Sequence, residues 1–389
     1  MNHIAPPLRD HLPKTLIVDL SLKYGGSSSR VLSLMKASPK GSIALAGLSS
    51  GAVVAEAKRL GLPVHSLGRR KTDPGILSRL VRLIRQHDYQ VLDTQNIQSK
   101  FWGSLASTLT NAALVSTINS WYSNEHGGSS LKGKLYTRLE LSTNWRLDLY
   151  ITVSEKDKSS LLRSNIPESR IDLIYNAVNI EADEIPASPE WLQKTFSLPS
   201  HARVCTAVGR LVPIKGYDVL IRAAAQTAKQ APDLFFLIVG DGEERERLDA
   251  QIRELHLEHT VHLAGYQDRE TVLKILKSSD LFAMPSLYEG TPIALLEAAA
   301  FGKPIIASNS GGMPEMVEHE LHALLVPPGD PNALANALHD LYANPQKAEL
   351  LGKNAQARIN EDFNLQTQVE KTWDAYKKAL ANRKGSKTK

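Results

Sequence analysis

Short, nearly continuous apolar runs alternate with helix-patterned segments along this chain, and halfway along the alternation starts again. Thr15–Leu20 (TLIVDL), Ser42–Leu48 (SIALAGL), Val91–Thr94, Ala113–Ile118 and Leu149–Val153 read as buried strands. Helical patterns such as Arg30–Met35 and Ala52–Leu60 lie between them. In the second half, Val204–Val208, Leu234–Val239 (LFFLIV), Val261–Leu263, Leu281–Met284, Pro304–Ser308 and Ala323–Val326 form a new strand series. Helices are expected there over Gly216–Lys229, Glu243–Leu255, Thr271–Ser278 and Pro292–Phe301. A strand that is apolar throughout must be covered on both faces, and helical crossovers make neighbouring strands parallel. The expected fold class is therefore α/β, with two doubly wound domains at residues 14–178 and 201–363. Residues 179–200, with Pro186, Pro189 and Pro199 and several acids, read as a linker.

A length of 389 residues suits two domains. Cys205 is the single cysteine, which rules out an internal disulfide framework or a cysteine-built metal site. No run approaches the ~18 apolar residues of a membrane-spanning helix. Residues 1–14 carry Pro6, Pro7 and Pro13 and no apolar core, unlike a signal peptide, so a cytoplasmic location is expected. The net charge of +5 hides a split. Residues 14–178 hold 22 Lys/Arg against 12 Asp/Glu, and residues 179–389 hold 23 against 28. The basic half suits an anionic membrane, an anionic acceptor or simply solvent. No aromatic-interleaved basic stripe points to nucleic acid.

Several short motifs read more simply as turns. Gly47-Leu48-Ser49-Ser50-Gly51 matches the nucleophile elbow G-x-S-x-G, but only two strands precede it. Gly240-Asp241-Gly242 begins like a dinucleotide fingerprint but has Arg245 in place of the third glycine. It still marks a tight turn at the carboxyl edge of a sheet, where ligands bind. Gly209–Gly216 is not a phosphate-binding Walker loop, because its lysine precedes the second glycine. His256, His259 and His262 run from a helix into a strand, which is a poor metal-binding face. No Asp-x-Asp occurs anywhere.

The segment from Ser286 to Gly302 (SLYEGTPIALLEAAAFG) is more informative. It places Glu289 in a loop and Glu297 in the following helix, whose start is expected at Pro292 and whose stop at Gly302. Free N–H groups at that helix start favour a phosphate. Eight residues of helical rise span about 12 Å, the scale of a diphosphate with a sugar at one end and a ribose at the other. Gly209-Arg210-Leu-Val-Pro-Ile-Lys215-Gly216 adds a guanidinium and an ammonium at a strand's carboxyl end. Both are suited to a departing diphosphate.

GRLVPIKGYDVLI, LIVGDGEERERL, LAGY and YEGTPIALLEAAAFGKPIIASNSGGMPEMV together resemble the donor domain of glycosyltransferase family 4, retaining enzymes of the GT-B fold. The similarity runs through most of the chain and is strongest from Val204 to Asp330. It implies two Rossmann-like domains facing a central cleft, with the last helix, 364–380, packed back on the first. It further implies that Arg210 and Lys215 bind the diphosphate in the loop opened by Gly209. Glu289 would contact the donor sugar, Gly290 and Thr291 would offer backbone N–H groups, and Glu297 would hold the ribose. Tyr266 would lie against the base, near the Gly240 turn. Gly25 and Gly26 match the glycine loop of the acceptor domain. No cofactor or divalent metal is implied, in keeping with the missing Asp-x-Asp.

Two positions depart from the family pattern. Gln95 and Asn119 stand where a histidine is common, and an amide can bind a sugar hydroxyl but carries no proton at neutral pH. His126 is the candidate substitute. The expected activity is retaining transfer of a hexose from a UDP- or GDP-sugar to a glycan or lipid-linked acceptor. By family analogy the setting is cell-surface polysaccharide or lipopolysaccharide assembly, at the cytoplasmic face of the membrane. A non-catalytic sugar-nucleotide scaffold and an epimerase or phosphorylase of the same fold are the alternatives.

Overall fold

The computed structural model describes residues 12–121, 138 and 140–385. They form two compact units: residues 12–121, 138, 140–175 and 365–385 make the first, and residues 176–364 the second.

The first unit is built on a parallel sheet ordered β3-β2-β1-β4-β5-β6-β7. Its strands are β1 (Thr15–Asp19), β2 (Ile43–Gly47), β3 (Val64–Ser66), β4 (Val91–Thr94), β5 (Ala113–Ile118), β6 (Leu149–Thr152) and β7 (Ile171–Leu173). The five strands read from sequence are the central ones. The edge strands β3 and β7 are three residues long and largely half-buried, so they lack a continuous apolar run. Because side chains alternate across a strand, Leu16, Val18, Leu92 and Leu114 face one core with Leu80 and Ile84 of the helix Gly75–His87. Ile17, Val91, Val115 and Ile151 face another, shared with Val31 and Leu34 of the helix Gly26–Ala37 and with Trp373 and Tyr376.

The last two residues belong to the helix Leu365–Gly385, which belongs to the first unit although it follows the second in sequence. Polar contacts lock it in place. Lys378 Nζ donates to Asp172 Oδ1 at 2.5 Å, and Arg383 lies 3.0 Å from Asp148 and donates to Ala112 O at 2.7 Å. A buried ion pair fastens the opposite face. Lys100 Nζ donates to Glu140 Oε1 (2.7 Å), Asn144 Oδ1 (2.7 Å) and Tyr150 Oη (2.6 Å), tying residues 140–146 to the helix Ile97–Thr110.

The second unit has the parallel order β10-β9-β8-β11-β12-β13. Its strands are β8 (Arg203–Val208), β9 (Leu234–Val239), β10 (Val261–Gly265), β11 (Leu281–Met284), β12 (Ile305–Ser308) and β13 (Leu324–Val326). Residues 179–200, expected as a linker, contain the helix Pro189–Thr195, and Ser188 caps it by accepting from Trp191 N. Leu192 of that helix is buried with Val204, Phe235 and Leu237, which makes the segment part of the unit's core. The prolines that suggested a linker include Pro189 at the first helical position, where a missing N–H costs nothing. In each unit the strand order reverses beside the first strand, between β1 and β4 and between β8 and β11. The carboxyl edge at such a reversal is the usual ligand site of a doubly wound sheet.

Candidate functional site

At the carboxyl edge of the second sheet, loops from different strands are stitched together by their backbones. Gly209 N donates to Val239 O (2.9 Å), Leu211 N to Asp241 O (3.0 Å), Leu287 N to Ile214 O (2.8 Å) and Gly312 N to Glu289 O (2.9 Å). Two glycines make this approach possible. Gly240 has φ 142°, and a Cβ there would lie 1.9 Å from Gly209 O. Gly311 has φ 61°, and its Cβ would lie 2.0 Å from Glu289 O. No side chain fits at either position.

These loops bring Lys215 and Glu289 together. Lys215 Nζ lies 2.5 Å from Glu289 Oε1, and Ser286 Oγ donates to the same oxygen at 2.7 Å. Both members of the pair are largely buried, at 18% and 13% side-chain exposure, so water screens it weakly. Tyr217 lies beneath, with its hydroxyl 2.7 Å from where a Gly209 Cβ would stand. Burial, and then the Glu289 charge, push its phenol far above the ordinary tyrosine range. Sequence alone treated Lys215 as a free cation and did not pair it with Glu289. The pairing joins residues 74 apart.

Glu297 sits in the helix Ile293–Ala300. Pro292 precedes that helix by one residue, in an extended conformation with ψ 117°, and Gly302 ends it with φ 66°. Glu297 is buried and ion-paired with Arg269, the first residue of the helix Arg269–Ser278. Burial raises the Glu297 carboxyl above its ordinary value, and the Arg269 charge opposes that rise. Arg269 was missed from sequence because nothing local links it to Glu297. Thr291 is buried, and its carbonyl accepts from Asn176 Nδ2 at 2.8 Å. Gly290 beside it is also buried. Arg210 is exposed. Tyr266, just past Gly265 at the end of β10, is 67% exposed and presents a bare ring.

The first unit places its candidates at the same kind of edge. Gly25 caps the helix Gly26–Ala37 without a side chain, so the opening N–H groups of Gly26 and its neighbours have no side-chain cap. Gln95 follows β4 and Asn119 follows β5, on adjacent strands. The side-chain amide atoms of both are buried; Gln95 faces the Asp93 carboxyl, and those of Asn119 have no hydrogen-bond partner among the described residues. Such groups are expensive unless something satisfies them. His126 lies outside the described residues. Below Gln95, the fully buried Asp93 accepts from Thr117 Oγ1 and Tyr376 Oη, both at 2.7 Å. Burial raises its carboxyl, an effect opposed mainly by Arg30.

The turn-like motifs remain turns. Ser49 Oγ donates to Gly68 O at 3.2 Å, and a Cβ on Gly47 would lie 2.6 Å from Asp19 O. Among the described residues, no group of three or more His, Cys, Asp or Glu is placed to hold a metal ion.

Comparison with known proteins agrees with this geometry. Residues 191–358 match the glycosyl transferases group 1 family, and residues 25–182 match Glycosyltransferase Family 4. The UDP-Gal:alpha-D-GlcNAc-diphosphoundecaprenol alpha-1,3-galactosyltransferase of Escherichia coli is 29% identical over 79% of this chain and 80% of its own. The GDP-mannose-dependent alpha-(1-6)-phosphatidylinositol monomannoside mannosyltransferase of Mycolicibacterium smegmatis is 28% identical over 72% and 74%. Among solved structures, Anabaena HepE in complex with UDP and glucose superposes with a TM-score of 0.82 at 24% identity, over 93% of this chain and 98% of that one. The sucrose-phosphate synthase of Thermosynechococcus elongatus gives 0.77 at 22% identity, over 95% and 99%. Two doubly wound sheets and family matches over both halves lead to one conclusion: the chain is a GT-B glycosyltransferase and belongs to glycosyltransferase family 4.

Proposed function

We propose that this glycosyltransferase moves a hexosyl group from a UDP- or GDP-sugar to a hydroxyl of a glycan or lipid-linked acceptor. In this reading the transfer retains anomeric configuration and needs no divalent metal. The observation that carries it is the Lys215–Glu289 pair, whose Glu289 lies in the loop before the Ile293–Ala300 helix that also bears the buried Glu297. An entering diphosphate competes with Glu289 for the Lys215 ammonium. Once displaced, Glu289 is free to accept hydrogen bonds from sugar hydroxyls. Glu297, held by Arg269 through Oε1, turns Oε2 to the ribose, and Tyr266 stacks on the base.

In the reaction, the bond from the anomeric carbon to the diphosphate oxygen breaks first. The departing charge falls on Lys215 and Arg210, where fixed cations help most. The acceptor hydroxyl then bonds to the same face of the oxocarbenium-like carbon, and its proton passes to the leaving phosphate oxygen. No side-chain base is required, so an amide at Gln95 is compatible with turnover. Gln95 and Asn119 orient a sugar through their buried amides. The missing Asp-x-Asp supports independence from metal.

Two relatives support the choice of donor and acceptor. Their names specify UDP-Gal and GDP-mannose as donors, and diphosphoundecaprenol and phosphatidylinositol carriers as acceptors. By family analogy, the setting we infer is cell-surface polysaccharide or lipopolysaccharide assembly, at the inner face of the membrane. The test is a thermal-shift screen of UDP- and GDP-sugars, then transfer assays on glycan and polyprenyl-diphosphate acceptors with and without EDTA. Transfer that survives EDTA and keeps the donor's anomeric configuration is expected. Donor binding with neither transfer nor slow hydrolysis would instead make the chain a scaffold. Donor conversion without acceptor would make it an epimerase, and a need for free phosphate would make it a phosphorylase.

A further inference from the structure

Asp93 and Gln95 stand two residues apart and so share one face of the first sheet. Gln95 lies just past the end of β4, but its N–H still donates to Val18 O of β1 at 3.1 Å, so the strand's alternation carries through it. The helices Gly26–Ala37 and Leu365–Gly385 cover this face, and each brings one polar side chain to Asp93. Tyr376 Oη donates to Asp93 Oδ2, and Thr117 Oγ1 of β5 donates to Asp93 Oδ1, both at 2.7 Å. Arg30 is fully buried with its guanidinium facing Asp93 and Tyr376. Its Nε, Nη1 and Nη2 have no hydrogen-bond partner among the described residues.

These contacts decide the charge state of Asp93. A buried guanidinium is costly without a counter-charge, and Asp93 is the acid that faces Arg30. The ionised carboxylate therefore fits the site, and it accepts from both hydroxyls. Such a group can only accept, whereas an amide has one donating and one accepting end. The Gln95 side chain faces this carboxylate. Its NH2 group can meet the negative oxygens, while Oε1 turned the same way would be repelled by them. The Gln95 carbonyl is thereby left on the far side, toward the carboxyl edge of the sheet.

We propose that Asp93, held by Arg30, Thr117 and Tyr376, is a positioning residue that fixes the Gln95 amide with its carbonyl outward, so that Gln95 accepts a hydrogen bond from a sugar hydroxyl rather than donating one to it. The sugar contact rests on the transfer reading; the orientation of the amide does not. A neutral histidine offers one donating and one accepting ring nitrogen. The Asp93–Gln95 pair offers an acceptor alone, and it selects a hydroxyl that can give its proton. Through Tyr376, the final helix takes part in setting that choice.

Two measurements on the full chain test it, the first without substrate. With glutamine side-chain nitrogens isotope-labelled for nuclear magnetic resonance, the Gln95 NH2 signal is identified by its loss in Gln95→Met. One of its protons should lie downfield of a free amide and exchange slowly with water, and Asp93→Asn should return it to the free position. A free-amide signal in the wild type overturns the proposal, whatever the chain does with sugars. The second measurement is kcat/KM with the nucleotide sugar that the wild type turns over. Gln95→Ala should lower it about tenfold and Asp93→Asn about fivefold, while the double variant should lose no more than Gln95→Ala alone, because both changes remove one contact. Tyr376→Phe deletes a single oxygen and carries the same cycle if Asp93→Asn does not fold. It should lower kcat/KM about twofold to threefold in the wild-type background and leave it unchanged in Gln95→Ala. Losses that multiply independently in the two backgrounds overturn the positioning role. A shifted Gln95 amide in a chain that turns over no donor supports the orientation and refutes the transfer reading.

Discussion

Tyr376 Oη donates to Asp93 Oδ2 at 2.7 Å, a buried hydrogen bond between residues 283 apart in sequence. It joins the last helix to the middle strand of the first sheet, directly below Gln95. Tyr376→Phe removes the donor and leaves a buried carboxylate oxygen short of a partner, which costs about 1–3 kcal/mol. A lowered thermal midpoint, with the same enzyme fold by circular dichroism, is the expected outcome. An unchanged midpoint would mean that water replaces the phenol.

Lys215 and Gln95 should separate cleanly in kinetics. Lys215→Ala removes the cation assigned to the leaving diphosphate and should lower kcat by about 10²–10³-fold, the usual cost of losing one fixed group on a developing charge. Gln95→Ala removes one neutral hydrogen-bonding group and should cost closer to tenfold, about 1.4 kcal/mol. Steady-state rates for both variants decide the matter, and equal losses would remove Lys215 from its role.

If Glu297 holds the ribose as proposed, nucleotide binding should depend on pH. Burial raises its carboxyl, so the folded chain keeps a proton that the unfolded chain has already lost. Its contribution to stability is therefore greatest at low pH and declines as pH rises through the folded value. Ribose binding runs the other way, because only the carboxylate accepts two hydroxyl donors. Affinity for the donor nucleotide should weaken as pH falls through a range above the ordinary glutamate value of 4.5. Arg269→Gln withdraws the opposing charge and should move that weakening to higher pH. Titration calorimetry of wild type and variant across the acid range is the check, and superimposable profiles would argue against the Glu297 assignment.

Gly240→Ala should be among the most damaging single-carbon additions in the second unit. Its Cβ would lie 1.9 Å from Gly209 O, at φ 142°. Backbone cannot yield as a side-chain tip can, so a loss of about 3 kcal/mol or more is expected. Urea denaturation measures it. Gly61→Ala is the matched control, since its added Cβ meets nothing within 4 Å and only φ 66° opposes it.

Lys100 and Glu140 form a buried ion pair whose net worth can be measured. Lys100→Met leaves Glu140 buried without its counter-charge and should cost about 3–5 kcal/mol. Lys100→Met/Glu140→Leu should recover much of that loss. A double-mutant cycle in urea reports the coupling.

Much of the fold was legible because it is written locally. Five strands of the first sheet and all six of the second announce themselves as apolar runs. β3 and β7 do not, because edge strands of three half-buried residues carry no such pattern. The helix Pro189–Thr195 was hidden by its prolines, whose helix-starting role shows only once Leu192 has a core to enter. At the site, Glu289, Glu297 and Lys215 stand out by residue type and spacing. Arg269, Ser286, Tyr217 and Gly311 carry no such signal, because their importance is contact with residues far along the chain.

The division has one physical cause. Periodicity, turn chemistry and motif spacing act over a few residues, so the sequence by itself determined two doubly wound α/β domains and the loops that hold the candidate groups. Strand order and helix packing act over hundreds of residues. Only they decided that Lys215 meets Glu289, that Glu297 meets Arg269, and that the final helix closes the first sheet over Asp93. The outward side of Phe101, Leu105 and Leu109 on the helix Ile97–Thr110 belongs to the same class. A run of Phe and Leu reads as core until the sheet beneath shows which side it already covers.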